Sequence, residues 1–233
     1  MKVVILAGGL GTRLSEYTKK IPKPMVKIGK FPIIHHIINL YLKYGIDDFV
    51  IAGGYKFELI KKYFNKNYFK KFNISIIDTG LNSLTAKRLF LLKKILKKKT
   101  FMLTYGDGLS DIDINKLYNF HKKNRKLITI TAVHPQARFG ELELKNNIVK
   151  KFVEKPQLQS GWINGGFFVI EPDFFKFITN KNEMLEREPI QRAVKKEFVA
   201  AYKHEGFWYC MDNLRDKQVL EDIYKKNKNI WSR

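Results

Sequence analysis

A chain of 233 residues, 45% of them hydrophobic, is long enough to bury a substantial core and has the size of a single domain. Its 44 lysines and arginines against 22 acids leave a formal charge of +22. The lysines are scattered over helix-like segments such as residues 56–72 without a nucleic-acid-binding signature, so a solvated basic surface that gathers small phosphorylated substrates is expected, with no specific nucleic acid as partner. The apolar run after Lys2 stops at Gly8, too short for a signal peptide. No stretch approaches a membrane span, and the single cysteine, Cys210, suits a reducing compartment, so a soluble cytoplasmic protein is expected.

Along the chain, short apolar runs alternate with helix-period segments, the pattern of βαβ units around a mostly parallel sheet. Lys2–Leu6 reads as the first strand. Ile34, Ile37, Ile38 and Tyr41 follow helical spacing, which predicts a helix over Ile33–Tyr44 ending at Gly45. A strand over 48–54, a helix over Phe57–Phe64, a strand over 73–78, a helix over Leu84–Leu96 and a strand over 100–108 follow. From about residue 127 the texture changes to extended runs. These are 127–133, a hairpin over 140–156 turning at Asn146-Asn147, and 162–170. Helical pieces follow, the last over Leu214–Lys228. One mixed α/β domain spanning 1–233, with a β-rich insertion or second lobe, is the expected architecture.

Directly behind the first strand stand Gly8, Gly9, Gly11, Thr12 and Arg13. A loop at the carboxyl end of a parallel strand is where open α/β sheets bind ligands, and glycine lets backbone amides approach a base or phosphate. Counting from Gly9, Leu14 occupies the third glycine position of a dinucleotide fingerprint, and no P-loop spacing is present. Thr12 and Arg13 offer a hydroxyl and a forked cation to a polyphosphate. Lys23 sits on backbone stiffened by Pro22 and Pro24.

Among the acids, Asp107 in "YGDG" stands in an Asp-Gly pair and by itself reads as a turn residue, Asp212 stands in "CMDN", and Asp111 and Asp113 read as helix caps. His35 and His36 would point about 100° apart on a helix and cannot readily share a metal. Cys210 has no sequence sign of a partnering base and reads as a packed thiol. The three tryptophans suit core or pocket-wall positions alike.

The combination of G-G-x-G-T-R-L over 8–14 with P-K-P over 22–24 resembles the signature of the sugar-1-phosphate nucleotidyltransferases. Further blocks extend the resemblance over nearly the whole chain: "RFGEL" with Gly140, "FVEKP" with Glu154 and Lys155, and "INGGFF" with Asn164 and Gly165. Together with "TYGDGLSDIDI" and "GFWYCMDNLRDKQVLE", they are most similar to the glucose-1-phosphate cytidylyltransferases.

The resemblance implies the nucleotide-diphospho-sugar transferase fold. This is a Rossmann-like, mostly parallel sheet flanked by helices with a β-rich sugar-binding lobe, the nucleotide half being about 1–126 and the sugar-phosphate half about 127–233. It implies a nucleoside triphosphate and a sugar 1-phosphate as partners, CTP and glucose 1-phosphate first, with guanylyl or thymidylyl transfer or a non-catalytic nucleotide sensor as alternatives. It further implies Mg2+ on Asp107 and Asp212, catalysis assisted by Arg13 and Lys23, and assembly as a homo-oligomer. The nucleotide would contact Leu6, Ala7, Gly8, Gly9, Gly11, Thr12, Arg13, Lys23, Thr79, Gly80, Thr85, Arg88, Gly106 and Asp107. Gly140, Glu154, Lys155, Asn164 and Gly165 would meet the sugar phosphate. Two departures stand out. The segment between Tyr63 and Ile74, linked in the family to subunit contacts, is short, and Thr85-Ala86-Lys87-Arg88 replaces the family's T-G-G-R.

Overall fold

The computed structural model describes residues 1–65, 69–135, 140–153, 161–227 and 230–231. In β1 (Lys2–Leu6), Val3, Val4 and Ile5 are wholly buried, because helices cover both faces of the strand. Side chains alternate along it, so Val3 and Ile5 enter one core layer and Val4 and Leu6 the other.

The chain then passes through a 3-10 turn at Thr12–Leu14, α1 (Ser15–Thr18), and a second 3-10 turn at Lys23–Met25. The small pair β2 (Lys27–Ile28) and β3 (Phe31–Pro32) leads into α2 (Ile33–Leu42). The alternation continues with β4 (Asp48–Gly53), α3 (Phe57–Phe64), β5 (Asn73–Asp78), α4 (Thr85–Leu96) and β6 (Phe101–Tyr105). The second half holds β7 (Gly108–Ser110), α5 (Ile114–Asn124), β8 (Ile128–Val133), β9 (Glu141–Lys145), β10 (Ile148–Val153) and β11 (Ile163–Ile170). A 3-10 segment at Pro172–Phe177, α6 (Glu188–Val194), β12 (Val199–His204), β13 (Trp208–Cys210) and α7 (Leu214–Lys226) complete it.

Seven strands form the central sheet in the order β12-β8-β11-β6-β1-β4-β5. β1 runs parallel to β4 and β6, β4 to β5, and β12 to β8, whereas β11 is antiparallel to both its neighbours. Ile34, Ile37 and Ile38 of α2 pack on one face with Leu220 of α7. Leu89, Leu92 and Leu96 of α4 pack on the other with Phe174 and Phe175. The chain is α/β with a mostly parallel sheet.

Most expected elements occur with small shifts at their ends, but the strand expected over 100–108 stops at Tyr105 and the chain turns at Gly106-Asp107 into β7, while residues 154–156 of the expected hairpin and Lys228 of the expected last helix lie outside the described residues. α2 stops at Leu42, before Gly45 takes a left-handed φ of 72°, and α4 starts at Thr85. The turn at Asn146-Asn147 is present, with φ of 48° and 63°, the left-handed pair that a two-residue hairpin turn requires. The β-rich half is built in two ways. β8, β11 and β12 extend the central sheet, and β9 with β10 forms a separate two-stranded hairpin.

Candidate active site

β1, β4 and β6 end side by side, and the loops that leave β1 and β6 border a cleft of about 540 Å³. Leu6, Ala7, Gly8, Gly9, Gly11, Thr12 and Arg13 line it from the first loop. Lys23, Thr85, Arg88, Gly106, Asp107, Asn164 and Asp212 converge from elsewhere. Gly11 holds a left-handed φ of 65°, and its carbonyl accepts a hydrogen bond from the Thr18 hydroxyl, so the loop's reversal is anchored to α1.

Gly8 is bare for a reason of its own: a Cβ there would lie 2.1 Å from Nη1 of Arg88. Arg88 is only 3% exposed, and its guanidinium donates to the carbonyls of Gly8 at 2.9 Å, Gly53 at 2.8 Å and Gly80 at 2.9 Å, and to the Thr79 hydroxyl at 2.6 Å. One side chain therefore ties the loop after β1 to the ends of β4 and β5. Burial lowers its pKa, partly offset by Asp78, but an arginine stays charged.

Thr79 and Gly80 stand behind the cleft as partners of Arg88 and are not among the residues that line it. A buried guanidinium needs acceptors, and the end of β5 supplies them. Thr85 borders the cleft, but its hydroxyl donates to Glu186 at 2.7 Å and accepts from the Leu185 N–H at 2.7 Å. Lys87 turns to the carbonyl of Asn180 at 2.9 Å and does not line the cleft.

The two aspartates come from distant parts of the chain. β7 and β13 pair antiparallel with Gly108 opposite Cys210, and the Met211 N–H donates to the Asp107 carbonyl at 2.9 Å. Asp107 and Asp212 thus flank one end of a short ladder. Asp216, in the capping box of α7, accepts from the Asp212 N–H at 2.9 Å and fixes the backbone beside it.

Lys23 Nζ lies 2.6 Å from Asp107 Oδ2 and 2.9 Å from Asp212 Oδ1, while Arg13 Nη1 reaches Asp212 Oδ2 at 2.8 Å. Burial works against the Lys23 charge, but Asp107, with hydrogen bonds to both aspartates, outweighs it and raises the pKa. Burial likewise works against ionisation of Asp212, yet Lys23 and then Arg13 hold its pKa below the usual range. Cys210 Sγ and one oxygen of each aspartate lie within 4.8 Å of one another. Burial first, then the two carboxylates, push its thiol pKa up, which makes it a poor nucleophile. Two converging carboxylates balanced by an ammonium form an oxygen donor set that suits a hard divalent cation.

Of the residues expected to meet the sugar phosphate, Asn164 lines the cleft from β11. Its Nδ2 donates to the Tyr105 hydroxyl at 3.1 Å and its Oδ1 accepts from the Gly166 N–H at 2.9 Å. Gly165 is buried and does not face the cleft: a Cβ would lie 2.8 Å from Val133 Cγ1, and its carbonyl accepts from Trp208 Nε1 at 2.7 Å. Gly140 is half-buried and does not line the cleft either. Glu154 and Lys155 lie outside the described residues.

Tyr105, Met184 and Trp208 line the cleft without having been singled out in the sequence. Tyr105 and Trp208 lie within the blocks "TYGDGLSDIDI" and "GFWYCMDNLRDKQVLE", the one signal that pointed to them. His35 meets the Tyr63 hydroxyl at 2.7 Å and His36 Nε2 the Ile28 carbonyl at 2.9 Å, so both serve the core. Asp113 caps α5, accepting from the Lys116 N–H at 2.9 Å, whereas Asp111 pairs with His204 at 3.0 Å. Among the described residues no helix is long and apolar enough to cross a membrane.

The glucose-1-phosphate cytidylyltransferase of Salmonella typhimurium is 42% identical, over 99% of this chain and 98% of that protein. The Bacillus subtilis protein named "Probable glucose-1-phosphate cytidylyltransferase" is 35% identical over 99% of each. Among solved structures, UDP-glucose pyrophosphorylase complexed with UDP-glucose superposes with a TM-score of 0.77 at 18% identity, covering 97% of this chain and 98% of that one, a likeness of fold. The model of the family described as "Nucleotidyl transferase" matches residues 2–216, which takes in the glycine loop, Lys23 and both aspartates of the cleft, and the chain belongs to that family.

Proposed function

We propose that this protein condenses CTP with α-D-glucose 1-phosphate, giving CDP-glucose and pyrophosphate. The observation that carries the reading is the meeting of Arg13, Lys23, Asp107 and Asp212 at the mouth of the glycine loop. Full-length relatives acting on glucose 1-phosphate with CTP by name support the choice of substrates.

An oxygen of the sugar phosphate attacks the α-phosphorus in line. The new P–O bond forms as the bond from the α-phosphorus to the bridging oxygen breaks, and pyrophosphate leaves with that bond's electrons. The nucleophile is already ionised, so no side chain needs to act as base. Catalysis is positioning and charge stabilisation. Arg13, with its side chain 70% exposed, is free to turn from Asp212 to the leaving pyrophosphate beside the glycine-loop amides. Lys23 steadies the α-phosphate. Lys155 and Glu154, by resemblance, receive the sugar's phosphate and hydroxyls. Mg2+ on Asp107 and Asp212 would supply charge neutralisation at the phosphates. Cytosine selection falls to the glycine-loop backbone and to Ser83 and Leu84, which line the cleft beyond the Arg88 anchors.

A cytoplasmic homo-oligomer completes the proposal. It is supported by the lone cysteine and by the apolar side chains that the β9–β10 hairpin leaves exposed, and light scattering tests the assembly. The decisive experiment is a pyrophosphate-release assay crossing CTP, UTP, dTTP, GTP and ATP with several sugar 1-phosphates. CTP with glucose 1-phosphate is expected to give the highest kcat/KM. GTP or dTTP proving the better donor would overturn the cytidylyl assignment.

A further inference from the structure

We infer that Glu186, a residue outside every recognised motif, fixes the direction in which the Asn164 amide is presented to the sugar phosphate, acting through Tyr105. The inference rests on the proposed function for the identity of that ligand. Glu186 lies just before α6, and its carboxylate can only accept. Oε2 accepts from the Thr85 hydroxyl at 2.7 Å, and Oε1 accepts a close hydrogen bond from the Tyr105 hydroxyl.

A phenol has one proton. With that proton committed to Glu186, the Tyr105 oxygen has only lone pairs left for Asn164, and it receives Nδ2 at 3.1 Å. The amide is then pinned from its other end, because Oδ1 accepts from the Gly166 N–H at 2.9 Å. Gly166 is held at a left-handed φ of 79°, and a Cβ there would lie 2.6 Å from the Tyr105 ring, so glycine is what lets this N–H sit close behind the tyrosine. Every bond in the relay from Glu186 to Gly166 has one polarity. It leaves the remaining N–H of Asn164 for a sugar-phosphate oxygen. Glu186 is thus a positioning residue that never needs to touch the substrate.

A glutamine at 186 would remove that polarity. Its amide can donate to the Tyr105 oxygen, whose proton then turns to Asn164 and sets the asparagine NH2 against the Gly166 N–H. Tyr105→Phe severs the relay at its middle. The test measures KM for glucose 1-phosphate and for CTP separately in Glu186→Gln, Tyr105→Phe and the double variant. Each single change is expected to raise KM for the sugar phosphate about tenfold, the scale of one misdirected polar contact, with KM for CTP moving less than about twofold. The double variant should be no worse than either single one, since both cut one relay.

A second readout needs no turnover. The side-chain amide signals of Asn164 in 15N-labelled protein, identified by their loss in Asn164→Asp, should shift in both single variants. Equal changes in the two KM values, additive effects in the double variant, or unmoved amide signals would each overturn the inference. Wild-type protein inactive with every donor would instead break the proposed function, and the amide signals would still decide the relay.

Discussion

The glycine loop and the β9–β10 hairpin are both short segments turned by left-handed residues, yet the molecule builds them in opposite ways. The loop is wired from behind. Gly8 shares its carbonyl between Arg88 and the Tyr55 N–H, and Ala7 is 2% exposed. The hairpin holds itself by its own ladder, with Val149 opposite Leu144 and Phe152 opposite Leu142, and leaves those four side chains half or more exposed. A lone two-stranded ribbon is marginal in water. The glycine-loop wall of the cleft is therefore organised before any ligand arrives, whereas the hairpin draws little support from the other described residues.

The sharpest way to probe the prebuilt wall is to remove its charges. Asp107→Asn and Asp212→Asn should each lower turnover on the order of 10²–10³-fold with circular dichroism unchanged, because positioned charge is most of what such a site contributes. Near-normal activity of both variants at limiting magnesium would remove them from the metal site. Next comes the wiring. Arg88→Met removes the guanidinium donor from the Gly8, Gly53 and Gly80 carbonyls and should cost roughly 2–4 kcal/mol in urea unfolding, whereas Phe152→Ser on the hairpin should stay within about 0.5 kcal/mol. Equal effects would erase the contrast between the two regions.

Acid probes the same half more gently. Burial, then the charge of His36, lowers the pKa of His35 from 6.5 to about 4, and burial lowers that of His36 as well. The unfolded chain takes up protons below pH 6.5 that the folded core refuses until about 4, so stability is full at neutral pH and falls as pH drops across that window. The expected loss from His35 is about 3 kcal/mol, read from urea midpoints between pH 7 and 4, and the slope should shrink in His35→Phe, with His36 leaving a residual part. A flat profile in wild-type protein would contradict it. The smallest effect concerns the scattered lysines, among them Lys145, Lys150 and Lys151 of the hairpin. Duplex DNA and RNA should bind weakly and be lost in moderate salt, and selective binding at physiological ionic strength would require a groove that the cleft does not provide.

What the sequence shows of this design is its local part. The span of α3, the strand β1 and the turn at Asn146-Asn147 follow from residue spacing and turn chemistry alone. β12 escapes notice because it is an edge strand with Ala201 and Lys203 exposed, and only its long-range pairing with β8 makes it a strand. The convergence of Asp107 and Asp212 depends on the β7–β13 ladder, another long-range event, and becomes legible only through family resemblance. Arg88 is marked only by resemblance, as a nucleotide contact; its local pattern makes it one more cation in a lysine-rich helix. Nothing local says that it is buried, or that Gly8 is bare to make room for it.

Lys23 and Asp212 meet across 189 positions of sequence. At ribosomal speeds of 5–20 residues per second, roughly 10–40 s pass between their syntheses. In that interval β1, β4 and β5 are available to pair, while the ammonium of Lys23 can find at most Asp107 as its partner. Charge balance in the cleft arrives with β13, so this ion-pair cluster is among the last features of the nascent chain to assemble.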